Sequence, residues 1–270
     1  MSLHRKEVDE LHFRMMQSKT YYERGMTEIF VKILKDRSAP GRVIDVGMNV
    51  GWFTLLSRSL GHEVISFEPN PMNILRVCES IALNNWKDGI SIYQYAMSDI
   101  VDTMVLSWPV HNPCAARLSH EKGSSNMPFT SVSVKRMDDI IKSKKWIDDK
   151  LVPIYLLKVD VEGFEPLVLA GSRQLVQSGL VENIIMEFTP MVTGVREISS
   201  MISELVNNNF ELIWLGDGYG ATIKNATNHI RFNDQDLFVF DLIQLTTFRH
   251  AKQLNLPQVR NLWWKKKSIF

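Results

Sequence analysis

Short apolar runs alternate with amphipathic stretches along most of the chain. Strands are predicted at 42–46, 63–68, 91–95, 154–160, 183–188 and 210–215, where β-branched and aromatic residues cluster in runs too short for buried helices. Between them, apolar residues recur at helical spacing, and helices are predicted at 51–60, 71–85, 137–145, 165–177 and 196–208. Pro71 suits the first turn of its helix. Residues 4–36 also read as helical, most clearly at Met26, Ile29, Phe30 and Ile33 on one helix face. Thr103–Trp108 and Ser131–Lys135 look like strands flanking a polar loop with Pro109, Pro113, Gly123 and Pro128. A Gly-rich loop at 216–221 and a last strand at 236–243 complete the pattern. Strand–helix alternation of this kind implies an α/β fold with a mostly parallel sheet covered on both faces. The chain divides into a helical cap at 1–40, a main domain at 41–246 with an insertion at about 99–136, and a tail at 247–270.

Two strand ends carry the first chemical signal. Asp45-Val-Gly47 closes the first strand, Gly51 ends the turn, and an apolar helix begins. The second strand ends in Glu68-Pro69, so strand, glycine turn, helix, strand and acid follow in the order of a nucleotide-binding βαβ unit. A dinucleotide site needs G-x-G-x-x-G, to seat a diphosphate on the helix N-terminus. Here the spacing is Gly47-x-x-x-Gly51, and no Gly-Lys-Ser/Thr follows. An acid at the turn entrance suits a ligand with an ammonium group and no phosphate, which is the character of S-adenosylmethionine (SAM). Asp45 would then face the ammonium, Gly47, Asn49 and Gly51 would shape the turn, and Glu68 would take the ribose diol. Ala96 falls near the adenine by topology.

Composition narrows the class without naming it. The 270 residues carry a net charge of +1, 45% hydrophobic and 23% charged residues, which is soluble globular composition with no strong pull towards nucleic acid or membrane. The two cysteines, Cys78 and Cys114, cannot build a metal cluster or a disulfide framework. No apolar run is long enough to span a membrane, and Met1–Lys6 lacks the apolar segment of a signal peptide. A cytoplasmic protein is expected; Met1-Ser-Leu3 also reads as a remnant added for expression, with the native N-terminus then lying outside this sequence. The sequon Asn225-Ala-Thr227 reads as chance without a secretory signal.

Further acids fall at later strand ends. Asp160 opens Asp-Val-Glu-Gly-Phe-Glu165, and Glu187 ends the next strand. Ligands of open parallel sheets bind outside these carboxyl ends. Val43–Phe53, Phe67–Pro71, Asn84, Leu157–Gly163, Leu169–Gly171 and Ile185–Glu187 together resemble the FkbM family of SAM-dependent methyltransferases. The resemblance implies a Rossmann-like class I methyltransferase, with a mostly parallel seven-stranded sheet, helices on both faces and a reversed last strand. It also implies O-methylation of a sugar, a glycan or a hydroxylated small molecule. Met48 stands where the family usually has Ala, a departure that bears on cofactor fit rather than class.

An aliphatic hydroxyl must lose its proton as the new bond forms, so a carboxylate base or a metal is required. Asp160 is the first candidate, with Glu162 and Glu187 next; a divalent metal, if used, would sit on Asp160 and Glu187. Lys158 alternates with Asp160 and reads as its partner; Glu165 reads as a helix cap. Asn70 and Asn73 are equally cap or cofactor contacts, and Asn84 is a cofactor candidate or a helix terminator. His111 and His120 are loop histidines, and Trp52 and Trp108 suit core packing better than stacking on a ligand. Trp263-Trp-Lys-Lys-Lys267 reads as a solvated tail with docked aromatics. A SAM-binding scaffold without catalysis and an NAD(P)-dependent oxidoreductase are the alternatives, and a nucleic-acid methyltransferase is disfavoured by the neutral charge. A homodimer is one assembly the sequence leaves open.

Overall fold

The computed structural model describes residues 1–3, 22–35, 37–110, 112–121, 126–144, 152–188, 195–217 and 260–267. The elements are α1 (Arg24–Lys35), β1 (Arg42–Val46), α2 (Trp52–Ser59), β2 (Glu63–Phe67), α3 (Pro71–Leu83), β3 (Ile90–Tyr93), β4 (Ala96–Met97), β5 (Asp102–Ser107), β6 (Arg117–Ser119), β7 (Phe129–Lys135), α4 (Met137–Lys144), β8 (Ile154–Val159), α5 (Glu165–Ala170), α6 (Arg173–Gln177), β9 (Asn183–Phe188), α7 (Val195–Asn207), β10 (Phe210–Asp217) and β11 (Arg260–Lys266). They form a seven-stranded sheet in the order β10-β11-β9-β8-β1-β2-β3 and a four-stranded sheet in the order β4-β7-β5-β6. In the large sheet β11 runs against both its neighbours, β9 and β10. The pairs of β1 with β2 and β8, β2 with β3, and β8 with β9 are parallel. Among the described residues no helix is long and apolar enough to cross a membrane.

Side-chain alternation sorts the strands onto two cores. Every residue of β8 is buried, as a central parallel strand covered on both faces requires. Val43, Val64, Leu156, Ile185 and Trp263 pack against Phe30, Ile33 and Phe53 of α1 and α2. Ile44, Phe67, Leu157, Met186 and Trp264 face the opposite way, towards Met137, Leu175, Ile202 and Leu205. β5, β6 and β7 join β4 in the second sheet around Met104, Leu106 and Val134.

Two expectations change. The helix expected over 165–177 is two helices, parted at Gly171-Ser172. A Cβ on Gly171 would overlap the Ser98 carbonyl, so the chain bends where the two loops press together. Residues 260–266 do not belong to an appended tail: they are β11, the reversed strand, with Trp264 fully buried. The strand expected at 236–243 lies outside the described residues, as do residues 4–21 of the predicted helical cap and 218–221 of the Gly-rich loop.

β11 is pinned by one buried amide. Asn183 Nδ2 donates to the Tyr155 carbonyl at 2.9 Å, and Asn183 Oδ1 accepts from Trp263 Nε1 at 3.0 Å. Asn183→Ala leaves both partners buried and unsatisfied, a loss of about 1–3 kcal/mol. Urea denaturation should show a lower midpoint with an unchanged slope.

Candidate functional site

The turn after β1 is held in a backbone form that suits glycine. Gly47 has φ 79°, Asn49 52° and Gly51 84°. A Cβ on Gly47 would overlap the Asp160 carbonyl oxygen, so the turns after β1 and β8 are pressed into contact. Glu68 closes this turn from the end of β2. Its Oε2 accepts from Asn49 N at 2.9 Å, and its Oε1 accepts from Asn70 N at 2.9 Å and Asn73 Nδ2 at 3.3 Å. Burial pushes the Glu68 carboxyl up to about 7, against the pull of these hydrogen bonds. Asn70 caps α3 through Met72 N and also donates to the Pro113 carbonyl, which ties the insertion to the motif.

These residues open onto a cavity of about 320 Å³. Gly47, Asn49, Glu68 and Asn73 line its polar end, and Asp160, Val161 and Glu162 line another edge. Ala96, Met97 and Ser98 come from the β3–β4 side. Met104, Leu106, Leu118 and Val134 supply an apolar wall from the second sheet. A buried acid at one end and an apolar wall at the other fit a nucleoside whose diol is polar and whose base is flat.

Asp45 is not part of that lining. It is fully buried on the α1 side of the sheet, where its Oδ2 accepts from Thr54 Oγ1 at 2.7 Å and its Oδ1 from Lys158 Nζ at 3.0 Å. Strand alternation explains this placement: Val46 and Gly47 reach the cavity, and Asp45 points down beside Lys158, its register partner on β8. Gly51 is the N-cap of α2 and packs on Val77, also off the cavity. Asn84 caps the end of α3, its Nδ2 donating to the Ser80 carbonyl at 2.8 Å, and it too lies off the lining.

A row of charged groups runs along the carboxyl ends of β8 and β9. Lys158 Nζ reaches Asp45 Oδ1 and the Gly47 carbonyl at 3.0 Å and Asp160 Oδ2 at 3.4 Å. Burial works against the Lys158 ammonium, but Asp45 and Asp160 outweigh it and hold its pKa above the ordinary lysine value. Val159 pairs with Met186, so Asp160 and Glu187 follow as neighbours, and their side chains are hydrogen-bonded. Burial, then the Asp160 charge, raises Glu187 well above the ordinary carboxylate range. Glu162 sits at φ 57° and is raised by burial and Asp160, with Arg117 opposing. Glu165 Oε1 secures this turn, accepting from Val161 N at 3.0 Å and Gly163 N at 3.1 Å; it ties down the turn ahead of α5 instead of capping the helix, whose N-cap is Phe164. Among the described residues no group of three or more His, Cys, Asp or Glu side chains is arranged to hold a metal.

The remaining candidates fall away from the cavity. Trp52 donates to Thr27 Oγ1 and meets Tyr22 edge-on; Trp108 packs on the second sheet. His120 is exposed, 3.7 Å from Asp102, and His111 lies outside the described residues. Sequence reasoning missed Glu23, Tyr95, Arg117 and Phe164. The last three line the cavity, and Glu23 interacts with Asp160 and Lys158. Only Tyr95 had a signal, its place just beyond a strand end.

A seven-stranded sheet with one reversed strand inside its edge, a glycine turn after β1 and a buried acid after β2 define a class I SAM-dependent methyltransferase. The methyltransferase FkbM domain matches residues 45–212. The chain belongs to the FkbM methyltransferase family. The methyltransferase sdnD of Sordaria araneosa is 27% identical over 188 residues, 60% of this chain and 71% of that protein. A SAM-dependent methyltransferase from Agrobacterium tumefaciens is similar at a TM-score of 0.44 and 10% identity, over 90% of this chain; this chain spans 61% of its length. An rRNA methylase from Streptococcus thermophilus gives 0.44 and 10% over 90% of this chain and 95% of that one.

Proposed function

We propose that the protein is an O-methyltransferase acting on a sugar, a glycan or a hydroxylated small molecule, with Asp160 as general base. The observation that carries this reading is the place of Asp160: it borders the cavity, with Lys158 Nζ 3.4 Å from its Oδ2 and Glu187 beside it on the next strand. Bound SAM supplies a methyl group on a sulfonium that needs no further activation. The work left to the chain is orientation and removal of one proton. Glu68 and Asn49 hold the diol end, and the apolar wall of the second sheet excludes water from the base. Asp160 accepts the hydroxyl proton as the oxygen–carbon bond forms and the carbon–sulfur bond breaks. Glu187, its carboxyl pushed up by burial and the Asp160 charge, orients Asp160 from the neighbouring strand. Glu162 faces the same edge of the cavity beside Arg117. Lys158 and Asp45 act from beneath, fixing the height of the Asp160 turn against the Gly47 turn.

Calorimetry with SAM and labelled-methyl transfer to a panel of hydroxylated acceptors test this reading. Glu68→Ala should weaken SAM binding about 10- to 100-fold, the loss of charge-assisted hydrogen bonds worth about 1.5–3 kcal/mol. Unchanged SAM affinity in Glu68→Ala removes Glu68 from the cofactor site; methylation confined to amines removes the O-methyl assignment.

A further inference from the structure

The second sheet brings one cation to the nucleoside cavity. Among the described residues that line it, the charged side chains are Glu68, Asp160, Glu162 and Arg117, three acids against one base. Arg117 opens β6, the edge strand of that sheet, and pairs with Ser107 at the end of β5. Leu118, the next residue, pairs with Leu106, and both belong to the apolar wall. The loop ahead of β6 is fixed. Asn70 Nδ2 donates to the Pro113 carbonyl at 3.1 Å, and Ala115 N donates to the Asn112 carbonyl at 3.1 Å. Arg117 is therefore carried on a tied strand end beside the Glu68 turn. It is exposed, and its side chain makes no hydrogen bond or ion pair with the described residues. Two of the three acids are occupied: Glu68 by Asn49, Asn70 and Asn73, and Asp160 by Lys158. The guanidinium thus borders the cavity with its donors unused, on the side where its charge acts on Glu162.

We propose that Arg117 is a specificity-determining residue that binds a carboxylate on a hydroxylated acceptor whose reacting hydroxyl lies at Asp160. The proposal rests on the methyl-transfer reading above. A planar guanidinium meets a carboxylate with two parallel N–H donors, and the pair strengthens where apolar side chains exclude water. Met104, Leu106 and Leu118 supply such side chains along the same wall. An anionic acceptor without this anchor would be repelled by Asp160 and Glu162, which line the cavity too. With it, one negative charge on the acceptor is matched by one positive charge on the wall. A phosphate ester approaches two negative charges at neutral pH, and the second would face Asp160 and Glu162 unmatched. Arg117 therefore favours a monoanion, a sugar acid or another hydroxylated acid, over both the neutral polyol and its phosphate. SAM carries a carboxylate of its own and offers the guanidinium the same chemistry, so cofactor affinity has to be measured beside acceptor choice.

SAM calorimetry comes first, on the wild type, Arg117→Gln and Arg117→Lys. Equal affinity in all three is expected; a loss of about tenfold in Arg117→Gln assigns Arg117 to the cofactor carboxylate and overturns the proposal. Failure of the wild type to bind SAM overturns the methyltransferase reading, and the proposal with it. SAM-loaded protein is then offered methyl hexosides and cyclohexanediols, each beside its carboxylate and its phosphate ester, and labelled methyl is followed. The carboxylate of each set should show the highest kcat/KM. In Arg117→Gln the ratio of kcat/KM for the carboxylate over the neutral member should fall about tenfold or more, chiefly through the KM of the carboxylate, as befits a lost charge-assisted hydrogen bond. Arg117→Lys should restore part of that ratio. A merely structural role would lower all members of a set alike and leave the ratio where it was. An unchanged ratio in Arg117→Gln, or a wild type that prefers the neutral or the phosphorylated member, overturns the proposal. SAM binding with no member of any set methylated overturns the carboxylated polyol as the class of acceptor.

Discussion

Lys158→Met is expected to lower folding stability by about 3–5 kcal/mol, the usual loss when one partner of a buried ion pair is removed. Lys158 is 3% exposed and Asp45 is fully buried. Methionine matches the length of the stem and keeps the contact over the Phe53 ring, where Nζ now lies 5.6 Å from the centroid. What goes is the ammonium that joins Asp45, the Gly47 carbonyl and Asp160. Asp45 would keep only the Thr54 hydroxyl, and a carboxylate in that setting is costly. The paired change Lys158→Met with Asp45→Asn removes both charges, so it should cost less than the single change. Urea denaturation of the two single variants and the double variant gives the coupling directly. Additive losses would mean that Asp45 and Lys158 do not act as a pair. Exposed pairs such as Arg24–Glu28 belong to a class worth only about 0.5 kcal/mol, so a large coupling here is a property of burial and not of charge alone.

The strands were legible because burial on both faces demands apolar, β-branched runs, and β1, β2, β8 and β9 have them. α3 was legible from its own ends, since Asn70 caps it and Pro71 starts it. The acids were legible as strand-end residues, but their directions were not. Asp45 looks like a ligand contact until the β1–β8 register sets it opposite Lys158. β11 was read as tail because Leu262-Trp263-Trp264 is followed by three lysines. Lys265 and Lys267 are exposed at the end of the strand, while Trp263 and Trp264 enter opposite cores. Only pairing with β9 and β10 makes that segment a strand, and such pairing has no local signature. The break between α5 and α6 has the same origin, a contact between Gly171 and Ser98 far apart in sequence.

Asp160→Asn should reduce kcat about 100- to 10,000-fold, the range by which a positioned base accelerates proton transfer, while SAM affinity changes by no more than a few fold. The substitution is close to isosteric. The amide oxygen it introduces can still accept from Lys158, and Lys158 keeps Asp45 and the Gly47 carbonyl, so the turn stays in place. The lost property is the capacity to receive a proton. Glu187→Gln supplies the contrast that separates the base from its support. Burial and the Asp160 charge both disfavour the ionised form of Glu187, so a neutral amide at this position should cost much less turnover. Single-turnover measurements with SAM-loaded protein check both variants without interference from product release. If Glu187 were the base, the order of the two losses would reverse. If Asp160 only organised the Val161–Gly163 turn, Asp160→Asn would leave kcat near that of the wild type, because Glu165 secures that turn independently. The order of the two losses therefore identifies which carboxyl at the junction of β8 and β9 receives the proton, and the order expected is the one that gives that part to Asp160.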